Sequence, residues 1–319
     1  MSVEVFSIGR VNIDVCLRVD RLPASEEHRI AKDGYISAGG SAANFAAQMA
    51  RLGVKTGLIS CIGNDLYGQT MLRNLGRAGV DTSTVLVLDK QPTGIFLSIV
   101  DDAGKRNVVV QPGANKFLEK HVLDESLVVR ASTIHMAGGF PMMTERAAEI
   151  ATVNGIVFSF DPGRAASSVD FKRVLPQTDL LFMNEHEVKT YAGINPNESA
   201  LRRFAKTFPG ILVVKLAQRG AVATDGFEFC KSEAFNVKVV DTLGAGDAFA
   251  AGFVAAWTRC EKIEQALHMA NAVAALTIRE RGAQNGQPSL DETAKFLSDH
   301  GISIDNVLRT FRRGKKRRR

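Results

Sequence analysis

Seven residues, Asp241-Thr242-Leu243-Gly244-Ala245-Gly246-Asp247, hold the richest concentration of chemistry in this sequence. They follow an apolar-rich stretch at 235–240 and run into the small and aromatic residues from Ala248 to Trp257. A strand, a glycine turn and a helix start are therefore expected in succession. Gly244 and Gly246 have no Cβ, so their N–H groups can close on a bound anion. The helix behind them adds unpaired N–H donors and the positive end of its dipole. Such a turn holds phosphate, or the charge that builds on a phosphoryl group in transfer. Asp247, in the first helical turn, is placed to take the proton of an attacking alcohol. Gly244, Ala245, Gly246 and Asp247 are the candidate catalytic residues. An ordinary strand–turn–helix junction with an acidic first turn is the competing reading.

Gly39-Gly40-Ser41-Ala42-Ala43-Asn44 is a second glycine-rich helix entry, with Asn44 in the first turn, where its amide could bond a polyol. Asn12 and Asp14 lie two apart on one strand face and could bind sugar hydroxyls, although polar alternation usually marks a solvated face. Asn184 and Glu187 stand three apart at a helix start, where an amide and a carboxylate suit a hydrated Mg²⁺. A capping box explains the same pair equally well. His186 between them reads as a surface or packing histidine.

The elements that position these residues follow from periodicity. Strands are expected at 3–8, 11–19, 28–37, 56–62, 128–136, 156–161, 180–183, 211–215 and 235–240. Residues 93–100 and 106–111 form a hairpin around Asp101-Asp102-Ala103-Gly104. Helices are expected at 41–52, with Ser41 as N-cap, and at 65–78, 143–154 and 198–207. Alternation after about residue 120 implies a parallel sheet covered on both faces. The early amphipathic strands would form a small half-exposed sheet, a lid.

Of the 319 residues, 45% are hydrophobic and 23% charged, the balance of a globular protein with a sizeable core. No apolar run approaches the roughly 20 residues that span a bilayer, and no signal-peptide pattern opens the chain. Cys16, Cys61, Cys230 and Cys260 lack metal-ligand spacing and read as reduced thiols of a cytoplasmic protein. The net charge of +6 is local: eight of the 40 basic residues lie in 309–319, so the body holds fewer basic than acidic residues. That tail reads as disordered and solvated, with no specific nucleic-acid role.

Together the segments resemble the PfkB (ribokinase-like) family of carbohydrate kinases over residues 3–300. The match rests on Ala38 to Gly53, Asp241 to Phe253, and the Asn184/Glu187 pair between them. The resemblance implies an α/β fold, a three-layer α/β/α sandwich with a mainly parallel sheet and a β-lid over the acceptor. It places a kinase domain at 1–308, with lid strands near 11–19, 28–37, 93–100 and 106–111. It implies ATP as donor, Mg²⁺, and γ-phosphoryl transfer to a sugar hydroxymethyl, with Asp247 as base and Gly244, Ala245 and Gly246 as anion hole. Asn12, Asp14, Gly39, Gly40 and Asn44 match acceptor-binding positions. Asn184, Lys215, Leu216, Gly220, Gly246 and Asn271 match ATP-binding positions, and Glu187 holds Mg²⁺ through water. Lys215 and Ala217 depart from the usual Thr-Leu-Gly-x-x-Gly. By the same match Asp241, Leu243, Thr277, Glu280, Gly282 and Gly286 would surround K⁺, and the lid would pair two copies as a homodimer.

The acceptor is left open between a sugar and a nucleoside. Gly138-Gly139 stands where ribokinases carry a glutamate that grips ribose, which leaves room for a bulkier substrate. Arg164, after Phe158 to Gly163, could serve a sugar acid of the 2-keto-3-deoxygluconate type. Arg106 on the hairpin could face an anionic acceptor or simply be an exposed strand arginine. A non-catalytic ligand-binding protein is the remaining alternative, and an intact Asp247 argues against it.

Overall fold

The computed structural model of the chain describes residues 3–121, 123–163 and 167–313. Arg164 and the basic run 314–319 lie outside the described residues. Fourteen strands occur in the order β1 (Val5–Gly9), β2 (Asn12–Arg18), β3 (Asp33–Gly39), β4 (Thr56–Ile59), β5 (Cys61–Gly63), β6 (Leu86–Leu88), β7 (Gly94–Val100), β8 (Arg106–Gln111), β9 (Thr133–Ala137), β10 (Val157–Asp161), β11 (Leu180–Asn184), β12 (Ile211–Lys215), β13 (Ala221–Thr224) and β14 (Phe229–Ser232). The helices used below are α1 (Ser41–Arg51), α2 (Pro141–Val153), α3 (Ala245–Cys260), α4 (Ile263–Thr277) and α5 (Asp305–Arg313).

The main sheet runs β14-β13-β12-β11-β10-β9-β1-β4 and is parallel except for β13. Its side chains explain why it is buried twice. In β11, Leu181 and Met183 join one apolar cluster, with Ala147 and Ile150 of α2, while Leu180 and Phe182 join the opposite one, with Phe253 of α3 and Val273 of α4. Successive side chains point to opposite faces, so a strand apolar at every position needs helices on both sides. The three-layer sandwich expected from the sequence is the observed architecture. The small sheet β3-β2-β7-β8 stands apart from it, with β2 and β7 parallel and the outer pairs antiparallel.

Several elements differ from expectation. Residues 235–240 form no strand: the N–H groups of Val240 and Asp241 both bond to the carbonyl of Ile278, and Val239 and Val240 face solvent. The sheet edge is taken instead by the hairpin β13–β14, whose four-residue strands are too short to stand out in a sequence. Only Thr133–Ala137 of 128–136 is strand, because a helical turn, Glu125–Val128, occupies its start. The run 28–37 becomes extended only from Asp33, and 56–62 breaks at Ser60, whose hydroxyl donates to the Gly9 carbonyl at 2.6 Å. Gly40 rather than Ser41 caps α1. The tail is not disordered from 309: α5 continues to Arg313, and Phe311 packs beneath the Arg259 guanidinium, 3.9 Å from its ring centre. All four cysteines are free thiols, and among the described residues no helix is long and apolar enough to cross a membrane.

Candidate active site

The first turn of α3 carries the candidate anion hole. Gly244 caps the helix at φ 73°, a left-handed conformation that suits glycine, and an added Cβ would lie 2.7 Å from the Ala283 carbonyl. The N–H groups of Gly246 and Asp247 open the helix, where no preceding helical turn supplies carbonyls, while the Ala245 N–H makes a long bond of 3.4 Å to the Thr242 carbonyl. Asp247 is held from across the cleft: its Oδ2 accepts from Asn44 Nδ2 at 2.8 Å. Asn44 is fixed in turn by Gln284, which donates to its Oδ1 at 3.0 Å, and by Gln287, which donates to its carbonyl at 2.8 Å. Burial pushes the Asp247 carboxyl up to about 7, against the Asn44 hydrogen bond; the carboxylate of Asp161 adds to the rise.

The residues expected to bind the acceptor come from the small sheet and the start of α1. Asp14 is 5% exposed and also pushed up to about 7, first by burial and then by the charge of Asp247. Gly39 is required beside it, since a Cβ there would fall 2.1 Å from the Asp14 carboxylate. Asn12 Oδ1 accepts from Asn115 Nδ2 at 2.9 Å, and Asn115 Oδ1 accepts the Val11 N–H at 3.0 Å. Gly40, at φ 93°, lies so close to the Arg10 carbonyl that a Cβ would approach it to 2.5 Å. Asn44 thus bonds Asp247 and Asp14 feels its charge, while Gly39 adjoins Asp14, and Asn12 and Gly40 are held by Asn115 and by the Arg10 backbone.

On the other side of the glycine turn, Lys215 ends β12 with its Nζ 2.5 Å from Asp161 Oδ2 and 3.4 Å from where a Gly246 Cβ would stand. Burial pulls the ammonium down, but Asp161 and then Glu187 outweigh it and hold the lysine charged. Glu187 and Asn184 form a full capping box: Glu187 N–H donates to Asn184 Oδ1 at 2.9 Å, and Asn184 N–H to Glu187 Oε2 at 2.8 Å. Leu216 is buried, and its N–H bonds the Gly220 carbonyl at 2.8 Å. A Cβ on Gly220 would lie 2.1 Å from the Ser232 carbonyl, and Asn271 Nδ2 donates to that carbonyl at 3.0 Å. Gly220 and Asn271 therefore share the end of β14, away from the Asp14–Asp247 cluster.

Asp241 braces the turn while lining the cleft with Tyr35, Arg106 and Arg281. Its Oδ1 accepts the Leu243 N–H at 3.1 Å, its Oδ2 accepts the Gly282 N–H at 2.8 Å, and Tyr35 of β3 donates to it as well. Gly286 packs on the Thr277 carbonyl, 2.3 Å from an added Cβ, with Glu280 beside it. The six cation candidates thus fall in two neighbouring groups. Tyr35, Asn115, Gln284, Gln287 and Asp161 belong to the site although their surroundings in the sequence give no sign of it. His135, by contrast, is core: it stacks on Phe45 with ring centres 3.7 Å apart, and burial drives it down to about 3, hence neutral.

This geometry has close counterparts. The ATP-dependent ribose-1-phosphate kinase of Halopiger xanaduensis is 37% identical over 298 residues, covering 93% of this chain and 99% of that protein. The nucleoside kinase of Methanothermobacter thermautotrophicus is 26% identical over 296 residues, 92% of this chain and 94% of that one. The structure of Arabidopsis thaliana ribokinase complexed with ribose and ATP matches with a TM-score of 0.83 and 26% identity, covering 93% of this chain and 99% of that one. The family model described as pfkB family carbohydrate kinase matches residues 3–290. The chain belongs to the pfkB family of carbohydrate kinases and is a phosphotransferase with an alcohol as acceptor.

Proposed function

We propose that the protein transfers the γ-phosphoryl group of ATP to the hydroxymethyl of a phosphorylated furanose, in line with the name of its 37% identical relative, a ribose-1-phosphate kinase. The contact that supports this best is Asn44 Nδ2 to Asp247 Oδ2, 2.8 Å, which ties the acceptor-binding helix to a carboxylate at the anion hole. The residues suit a nucleotide: first-turn amides at Gly246 and Asp247, a half-buried ammonium at Lys215, and Gly220 and Asn271 side by side at the end of β14. When bound, ATP with Mg²⁺ supplies the electrophilic phosphorus and neutralises charge on the phosphate oxygens. Asn184 and Glu187 would hold the hydrated metal. Asp241, Leu243, Thr277, Glu280, Gly282 and Gly286 would surround a K⁺ ion through carbonyls.

In the reaction, Asp14 and Asn12 hold ring hydroxyls and aim the hydroxymethyl at Asp247. Asp247 accepts the hydroxyl proton as the oxygen attacks. The amides of Ala245 and Gly246 and the Lys215 ammonium then face the negative charge gathering on the phosphoryl oxygens. The small sheet closes water out of the cleft. Gly138 and Gly139 leave space beside the sugar, which also admits a nucleoside base.

The test is ATP-dependent product formation over ribose 1-phosphate, ribose, nucleosides and keto-deoxy sugar acids. Asp247→Asn should lower kcat by about 10²–10⁴ with acceptor binding kept, the usual worth of a general base. Full activity of Asp247→Asn on the accepted substrate would refute the assignment.

A further inference from the structure

We propose that Arg10 is the anion-binding residue of the acceptor site and selects a sugar that carries a phosphate remote from its reacting hydroxyl. This inference deepens the phosphorylated-furanose reading and rests on it. Arg10 is the first residue after β1, at the carboxyl end of the parallel strands, where open α/β sheets bind ligands. Its carbonyl accepts the Ala43 N–H at 3.4 Å, so its backbone is tied to the first turn of α1, one residue from Asn44. Its guanidinium turns toward β9: Nη1 lies 3.2 Å from where a Gly138 Cβ would stand, and Cζ is 4.8 Å from the centre of the Phe140 ring. The missing side chain of Gly138 therefore lets the guanidinium come close to the backbone after β9.

That cation lacks a carboxylate. Arg259, the other arginine whose pKa burial lowers, has Glu4 at 3.5 Å to offset the cost. Burial acts on Arg10 unopposed, and among the described residues it forms no ion pair. Arg281 pairs with Asp33 at 2.5 Å, and Arg106 donates to Ser98 Oγ at 2.8 Å while lying over Phe96. Withdrawing a guanidinium from water without a partner carries a penalty that a bound anion removes. Its planar fork matches two phosphate oxygens at once. A phosphate held there would point the rest of the sugar along α1 toward Asp247.

Arg10→Met keeps a stem over Phe140 and removes the charge; Arg10→Lys keeps charge and loses the fork. With saturating MgATP, the preference for ribose 1-phosphate over ribose, measured as the ratio of kcat/KM values, should fall about 100-fold in Arg10→Met, the worth of a charged hydrogen-bonded pair. The loss should lie in KM rather than kcat, and Arg10→Lys should fall between. Equal losses on both acceptors would mean a packing role and overturn the proposal. A second readout needs no turnover. With a non-hydrolysable ATP analogue filling the anion hole, inorganic phosphate should raise the Tm of the wild type and leave Arg10→Met unmoved. Equal shifts in both proteins, or none in either, would overturn the assignment. A phosphate shift confined to the wild type, in a protein that phosphorylates no sugar phosphate, would instead sink the acceptor reading and leave Arg10 as an anion site.

Discussion

Asp14 and Asp247 are two carboxylates withdrawn from water, each raised chiefly by burial to about 7 against an ordinary value near 3.8, with the charge of Asp247 adding to the rise at Asp14. The free enzyme near neutral pH therefore holds about one proton between them. For catalysis the sign is simple: a protonated Asp247 cannot accept the alcohol's proton, so activity should fall as pH drops below about 7. For stability the sign is opposite. The folded state binds these protons more tightly than the unfolded chain does, so the benefit is complete in acid, below the unfolded carboxyl value. It is lost as pH rises through about 7. Asp14→Asn removes one of the charges. It should raise the Tm at pH 8 by roughly 2–4 °C for each kcal/mol regained, with a smaller gain at pH 5 and none below the unfolded carboxyl value, while acceptor affinity falls. A melt series of both proteins across that range checks it. An equal Tm gap at both ends would show that the buried charge is not the cause.

At the scale of elements, the chemistry was legible wherever it is local. The entry Gly39 to Asn44 and the pair Asn184/Glu187 each sit on one strand–helix junction, and the turn Asp241 to Asp247 leads directly into a helix, so each lies within a few consecutive residues. What stayed hidden is what arrives from afar. Asn115 reaches back to Val11, Tyr35 forward to Asp241 and Gln284 to Asn44, each more than 100 residues away along the chain. No periodicity encodes such pairings. The misread strand at 235–240 fails for a related reason: its apolar residues look like a sheet, yet β14 already closes that edge. A smaller departure has a measurable cost. Ala217 stands where the family's usual pattern has glycine, and its backbone is left-handed, at φ 52°. Such a conformation costs a residue with a Cβ roughly 1–2 kcal/mol, partly offset by glycine's extra freedom in the unfolded chain. Ala217→Gly should therefore stabilise the protein by about 0.5–1 kcal/mol in denaturant titration, where most glycine substitutions destabilise. A loss of stability would mean the methyl group makes contacts that outweigh the strain.

The molecule as a whole joins two unequal sheets. The larger is sealed by helices on both faces. The smaller leaves Ile36, Val108, Val109 and Val110 exposed, at 60%, 43%, 63% and 48%. Four apolar side chains on the two outer strands of an uncovered sheet, Ile36 on β3 and the three valines on β8, are a liability for a lone chain and an asset for an interface. We predict that two copies pair there. Sedimentation should give a dimer, and Val109→Lys should shift it to monomer with the melting temperature of the body nearly unchanged. A wild type that sediments as a monomer at micromolar concentration would refute this.

One residue separates the two sheets' machinery. β3 ends at Gly39 and α1 begins at Ser41, so Gly40 alone joins the small sheet, the proposed cover of the cleft, to the helix whose Asn44 bonds Asp247, the proposed base. With so short a tether, the cover cannot swing without rotating that amide. Substrate capture and alignment of the proton acceptor are then a single mechanical event, and a sugar too large to let the flap settle would occupy the hollow without meeting a prepared carboxylate.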